Sequence, residues 1–285
     1  MIKEGKRFTQ DLNNIFTPRS VAVVGVSTKG TKPQYGGINF VDALLHSDFN
    51  GNIYPVNPKG GEILGLKVHP SLKDIPEPLD YVICSIPSLQ IPQLIQDCIV
   101  KKVNAVSIYT GGFSESGTKG GKQLEEKISS LARQNGIRII GPNCLGIYCP
   151  KVGLSFTRNL SKESGSVAAI CQSGGNSNYL IAEGAKRGIR FSKVISYGNA
   201  CDVNESDLIE YLAGDQDTEI ILAYIEGVED GRRFHQVLKE AAKVKPVIVL
   251  KGGVGEAGAR VTVSHTGSLA GSDKVWDGLL RQVGA

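Results

Sequence analysis

One of the chain's four histidines stands where chemistry is expected. His265 lies in Ser264-His265-Thr266-Gly267, inside the stretch 252–271, which holds six glycines. A histidine in a glycine-rich loop, not on an apolar face, is expected to be exposed and able to move. Its imidazole titrates near about 6.5 and attacks phosphorus at neutral pH without prior activation. The chemistry this suggests is carriage of a phosphoryl group. His46 ends a helical stretch, His69 precedes Pro70 and His235 lies on a polar helical stretch, so these three read as structural or solvated.

A place for an anion is written in Cys171-Gln172-Ser173-Gly174-Gly175-Asn176, between an apolar strand and a helix. The two glycines let successive backbone N–H groups point at one spot, and the helix dipole adds roughly half a positive charge. The turn has no Lys or Mg²⁺ ligand of the P-loop kind. From these residues alone, a glycine-lined turn without a ligand is an equal reading.

In the first half, Val21-Ala22-Val23-Val24-Gly25 reads as a buried parallel strand delivering a glycine to its carboxyl end, where open α/β sheets hold nucleotide phosphates. The dinucleotide pattern G-x-G-x-x-G is missing, since the residues run Gly25-Val26-Ser27-Thr28-Lys29-Gly30. Thr31-Lys32 also inverts the order a P-loop needs. A dinucleotide-binding protein carries Asp or Glu at the end of its second strand. Here that strand runs into Asn57-Pro58-Lys59, and a cation at the ribose suits a ribose phosphate, as in coenzyme A or NADP.

These residues need a frame. Short β-branched runs alternate with amphipathic stretches, which predicts α/β units with parallel sheets. Strands are expected over 20–24, 53–56, 81–85, 105–108 and 138–140, with helices over 37–46, 91–101 and 121–135. The rhythm lapses into loop over 142–165. It resumes with strands over 166–171, 191–196, 219–225 and 246–250, and helices over 178–186, 206–213, 231–243 and 275–283. Two α/β domains are expected, 1–148 and 149–285.

Composition excludes several classes. With a net charge of +4 and no run of five basic residues, nucleic-acid binding is not expected. No stretch approaches the roughly 20 apolar residues that span a bilayer. The polar start MIKEGKRFTQ does not read as a secretory signal, and the six cysteines form no C-x-x-C pair. No metal site is expected, and a cytoplasmic location with reduced thiols is.

Five motifs in order carry a resemblance: Val23-Val24-Gly25-Val26-Ser27, Pro55-Val56-Asn57-Pro58-Lys59, Gly141-Pro142-Asn143-Cys144-Leu145-Gly146, Gln172-Ser173-Gly174 and Ser264-His265-Thr266-Gly267. Over essentially its whole length the chain resembles the α subunit of ADP-forming acetyl-CoA (acyl-CoA) synthetase, and more distantly that of succinyl-CoA synthetase. The resemblance implies a Rossmann-like CoA-binding domain followed by a flavodoxin-like domain. It also implies an acid–CoA ligase reaction, acyl-CoA + phosphate + ADP ⇌ acid + CoA + ATP.

Carried over motif by motif, Gly25, Ser27 and Lys59 would hold CoA, with Lys59 near the 3′-phosphate, and Asn143 would lie near the thioester. Ser173, Gly174 and Gly175 would hold phosphate or phosphohistidine, and His265 would carry the phosphoryl group. A carboxylate should fix the tautomer of that histidine. Glu226 is the first choice, with Asp202 and Glu205 behind it. ADP or ATP and Mg²⁺ would bind only through an ATP-grasp subunit or domain, in an oligomeric assembly acting on a small carboxylic acid. Relatives often carry a larger residue where this chain has Gly175. The competing readings are a CoA-binding regulatory module related to protein acetyltransferases and an NADP-dependent dehydrogenase.

Overall fold

The computed structural model describes residues 12, 14–27, 36–254 and 273–285. His265 and the rest of 255–272 lie outside the described residues, as do 28–35.

The first sheet is built from β1 (Ser20–Val24), β2 (Asn52–Val56), β5 (Tyr81–Cys84), β6 (Ala105–Ile108) and β7 (Arg138–Ile140), in the order β2-β1-β5-β6-β7. All its pairings are parallel. All five residues of β1 are buried, which is why this strand reads as a continuous apolar run and not an alternating one. α1 (Gly37–His46) follows β1, α2 (Ile91–Lys101) follows β5 and α3 (Lys119–Gln134) follows β6. Thr118 caps α3, its side chain accepting the Gly121 N–H at 3.0 Å.

The second sheet contains β8 (Gly146–Tyr148), β9 (Ser164–Cys171), β10 (Phe191–Ser196), β11 (Ile220–Ile225) and β12 (Val247–Lys251), ordered β12-β11-β9-β10-β8. Four strands are parallel, and β8 joins the edge antiparallel to β10. Its helices are α4 (Gly174–Lys186), α5 (Glu205–Gly214), α6 (Gly231–Ala242) and α7 (Asp273–Val283). α5 starts with a capping box, Asn204 and Asp207 each accepting the other's backbone N–H.

The core is continuous across the two sheets. Val21, Val23 and Ile83 of the first sheet belong to the same buried cluster as Ala169, Val194 and Ile221 of the second. The opposite face of the first sheet, with Ala22, Val82 and Val106, packs under α2 and α3. Three strands lie outside the sequence expectation: β3 (Gly61–Ile63) and β4 (Leu66–Val68), which pair as a hairpin, and β8 itself, inside the stretch read as loop.

Candidate functional site

The order of the first sheet reverses between β1 and β5, and a crevice opens there outside the carboxyl ends of the strands. Gly25 leaves β1 with φ 97° and donates its N–H to the Val56 carbonyl at 3.1 Å. A Cβ at Gly25 would collide with the Ser85 carbonyl and sit 2.8 Å from Ile86 Cγ2. Only glycine fits. A Cβ on Gly37, at the start of α1, would lie 2.7 Å from the Gly25 carbonyl oxygen, so helix and strand end meet as a phosphate-binding turn requires.

Asn57 joins the second strand to this turn. Its Nδ2 donates to the Val26 carbonyl at 2.6 Å, and its Oδ1 accepts the Lys59 N–H at 2.9 Å. Through Asn57, Lys59 is anchored beside the Gly25-Val26-Ser27 turn. The Lys59 and Ser27 side chains are both exposed. No carboxylate follows β2 directly, in keeping with the expectation drawn from Lys59.

The second sheet reverses between β9 and β11, and the Ser173 turn occupies that switch point. Ser173 caps α4, its Oγ accepting the Asn176 N–H at 3.3 Å. The helix begins at Gly174, four residues before the expected start, because Gly174 to Asn178 carry no apolar periodicity to announce it. Gly174 and Gly175 therefore form the first helical turn itself, where N–H groups have no partner within the helix. A Cβ on Gly174 would lie 2.9 Å from Leu145 Cγ, so this glycine is required by packing.

Opposite the turn stands the connector between the sheets. Asn143 is left-handed, with φ 58°, and donates its N–H to the Thr110 carbonyl at 3.1 Å. Leu145 N–H donates to Ser196 Oγ at 3.0 Å. The Pro142 carbonyl accepts the Asn199 N–H at 3.0 Å, and the Gly141 carbonyl accepts the Cys201 N–H at 3.0 Å. Tyr109, Asn143, Cys144 and Leu145 on one side, with Gln172, Ser173, Gly174, Gly175 and Asn178 on the other, enclose a cleft of about 330 Å³. Asn143 and the Ser173 turn, widely separated in sequence, thus share one cavity. Burial pushes the Cys144 thiol up to about 12, so it is neutral in that wall.

Glu226 is buried at the end of β11. Gln172 Oε1 accepts its N–H at 2.5 Å and the Gly227 N–H at 3.1 Å. Tyr224, two residues before Glu226, stands beside it; burial, then the nearby Glu226, push its hydroxyl up to about 12. Past β12 the chain runs against this group. A Cβ on Gly252 would lie 2.6 Å from the Tyr224 hydroxyl and 3.2 Å from Glu226 Cγ. Lys251 Nζ donates to the Glu226 carbonyl at 2.9 Å and lies 5.4 Å from the centre of the Trp276 ring on α7. The chain thus leaves β12 at Gly252 beside Glu226.

The second-choice carboxylates are differently engaged. Asp202 accepts from Arg138 Nε at 2.8 Å, Arg133 Nε at 3.0 Å and the Ile139 N–H at 2.9 Å, which makes it a clamp between the halves. Glu205 is buried at the start of α5, and that burial raises its carboxyl to about 7. Sequence reasoning did not single out Tyr109 or Asn178, which line the cleft with Ser173, nor Tyr224, which stands beside Gly252 and Glu226. Among the described residues no group of three His, Cys, Asp or Glu could hold a metal ion, and no helix is long and apolar enough to cross a membrane.

Residues 19–150 match the CoA binding domain family, and residues 164–285 match the succinyl-CoA ligase like flavodoxin domain. The chain thus pairs a CoA binding domain with a succinyl-CoA ligase like flavodoxin domain. It is 41% identical over 278 residues to the α subunit of acetate–CoA ligase [ADP-forming] I of Pyrococcus furiosus, matching 96% of this chain and 59% of that one. It is 39% identical over 274 residues to acetate–CoA ligase [ADP-forming] I of Archaeoglobus fulgidus, with 96% and 39% covered. A solved structure of dinucleotide forming acetyl-coenzyme A synthetase 1 from Ca. Korarchaeum cryptofilum, in complex with phosphate and ADP, superposes with a TM-score of 0.86 at 35% identity, covering 96% of this chain and 58% of that one. The chain thus spans between about two fifths and three fifths of the length of these relatives. The expected fold class is borne out: a Rossmann-like CoA-binding domain followed by a flavodoxin-like one.

Proposed function

We propose that this chain is the CoA-binding, phosphohistidine-bearing part of an NDP-forming acid–CoA ligase, with residues 1–148 holding CoA and 149–285 carrying the phosphoryl group. The observation that carries this reading is the common cleft of Asn143 and the Ser173–Gly175 turn, at the junction of the two crevices.

CoA fits the first crevice by the chemistry of its walls. A glycine that no Cβ can replace lies at the strand end, the helix start faces it, and Lys59 supplies a cation for the 3′-phosphate where NAD-binding proteins carry an acid. Gly25 and Ser27 would receive the diphosphate and Asn143 the thioester end. Phosphate would lie against Ser173, Gly174 and Gly175, whose helix end favours anions. Its oxygen would attack the thioester carbonyl, expelling the CoA thiolate and leaving an acyl phosphate. An imidazole nitrogen of His265 would then take the phosphoryl group and release the carboxylate. Glu226 would hold the proton on the other ring nitrogen. ADP and Mg²⁺ would be supplied by an ATP-grasp subunit or domain in an oligomeric cytoplasmic enzyme.

The test is incubation of the full-length protein with acyl-CoA and labelled phosphate. An acid-labile, base-stable adduct that vanishes in His265→Ala while CoA still binds is the expected result. Absence of any adduct, or an adduct that survives the substitution, overturns the reading. Titration with CoA and NADP in parallel should show saturable binding of CoA alone.

A further inference from the structure

We infer that Gly175 determines the size of the acyl group this chain accepts, and that its bare Cα admits a thioester with a ring-sized acyl body. The inference rests on the ligase reading above.

The two glycines that open α4 differ in kind. Neither has a positive φ, so neither is held by backbone conformation. Gly174 is fixed by packing, since its Cβ would press on Leu145. A Cβ on Gly175 would meet only Ser173 Oγ, at the ordinary contact distance of 3.9 Å. A glycine within a helix costs up to about 1 kcal/mol relative to alanine, and no neighbouring atom demands one here. What its absent side chain leaves is space. Ser173, its nearest neighbour, lines the same cleft as Gly175 itself, so that space adjoins the cleft.

The cleft measures about 330 Å³. An acetyl group displaces roughly the volume of two waters, ~60 Å³. Phosphate and the thiol end of CoA claim further room, and the acyl body takes what remains of the cleft. Tyr109 and Leu145 offer it apolar surface, and Tyr109 is fixed by an edge-to-face contact with Phe40, centroids 5.4 Å apart. A side chain at Gly175 would start from the lining of that cleft.

A second role for a bare Cα is closer approach of phosphate to the backbone, and the experiment separates the two. In the full-length protein, phosphohistidine formation from labelled phosphate is followed with acetyl-CoA, isobutyryl-CoA and phenylacetyl-CoA, for wild type, Gly175→Ala and Gly175→Met. Phosphate is common to all three reactions, so an effect on phosphate alone cancels from their ratios. The wild type should use phenylacetyl-CoA, and Gly175→Met should lower kcat/KM for phenylacetyl-CoA relative to acetyl-CoA by about tenfold or more, with Gly175→Ala between them. A wild type that uses acetyl-CoA but not phenylacetyl-CoA, or ratios that do not change, overturns the inference and leaves the ligase reading standing. No phosphohistidine from any thioester overturns both. An unchanged urea midpoint for Gly175→Met shows that the variant is folded.

Discussion

Gln172 holds Glu226 by its backbone: one side-chain oxygen accepts both the Glu226 and the Gly227 N–H, at 2.5 and 3.1 Å. Gln172 stands at the end of β9, one residue before the cap of α4, and Glu226 follows β11, so a single carboxamide spans the switch point of the second sheet. The group proposed to orient the histidine and the turn proposed to hold phosphate are thereby kept in fixed relation.

Gln172→Met keeps most of the side-chain volume and removes the acceptor. Two buried N–H groups would lose their partner, at a cost of about 1–3 kcal/mol each before relaxation. The expected result is a several-fold lower yield of phosphohistidine with unchanged CoA affinity. Calorimetric titration with CoA beside adduct quantification checks both.

Lys59→Ala should weaken CoA more than dephospho-CoA. The lysine is exposed, so the difference is expected near 1 kcal/mol, about fivefold in Kd, and smaller in high salt. Equal losses for the two ligands would remove Lys59 from the 3′-phosphate.

Asp202 joins the halves from a buried position: its side chain is 2% exposed and its partner Arg138 11%. Asp202→Ala takes the nearer carboxylate from Arg138, leaving it Asp207 at 3.8 Å, and leaves the Ile139 N–H unmatched, a loss of about 1–3 kcal/mol. Urea denaturation should show a lower midpoint for this variant. An unchanged midpoint would mean that the clamp adds nothing to stability.

Glu205 gives a pH dependence with a defined sign. Burial raises its carboxyl from 4.5 to about 7, Asp207 and Glu229 add repulsion, and Arg233 partly offsets them. Between these values the folded chain keeps a proton that the unfolded chain has lost, so this contribution to stability falls as pH rises through the window. Glu205→Gln should remove the dependence. The variant should melt like wild type near pH 4.5 and be more stable near pH 8, by up to about 3 kcal/mol. Parallel melting curves at both pH values decide it.

The regular frame was legible because its central strands are buried on both faces and its helices are amphipathic. Gly25 was legible for a related reason: a strand that ends on glycine at a switch point has few other uses. The hairpin of β3 and β4 escaped because three-residue strands, turned at Leu64 and Gly65, are too short to show a period. β8 escaped because it is an antiparallel edge strand within an irregular stretch. The early start of α4 was hidden by its own glycines. What no local pattern could reveal was the pairing of Gln172 with Glu226, 54 residues on, or the capture of Asp202 by an arginine 64 residues earlier.

The passage from the first sheet to the second takes five residues, 141–145, between the end of β7 and the start of β8. A hinge normally lies in a slack tether that tolerates cutting and lengthening. Here Pro142 and Gly141 are bonded to the far side, and Gly198 packs so closely on the Pro142 carbonyl that a methyl group there would collide. The seam is also a wall of the cleft that Asn143 shares with the Ser173 turn. A protease nick or an inserted residue at this point would therefore break that cleft open instead of releasing two separate halves.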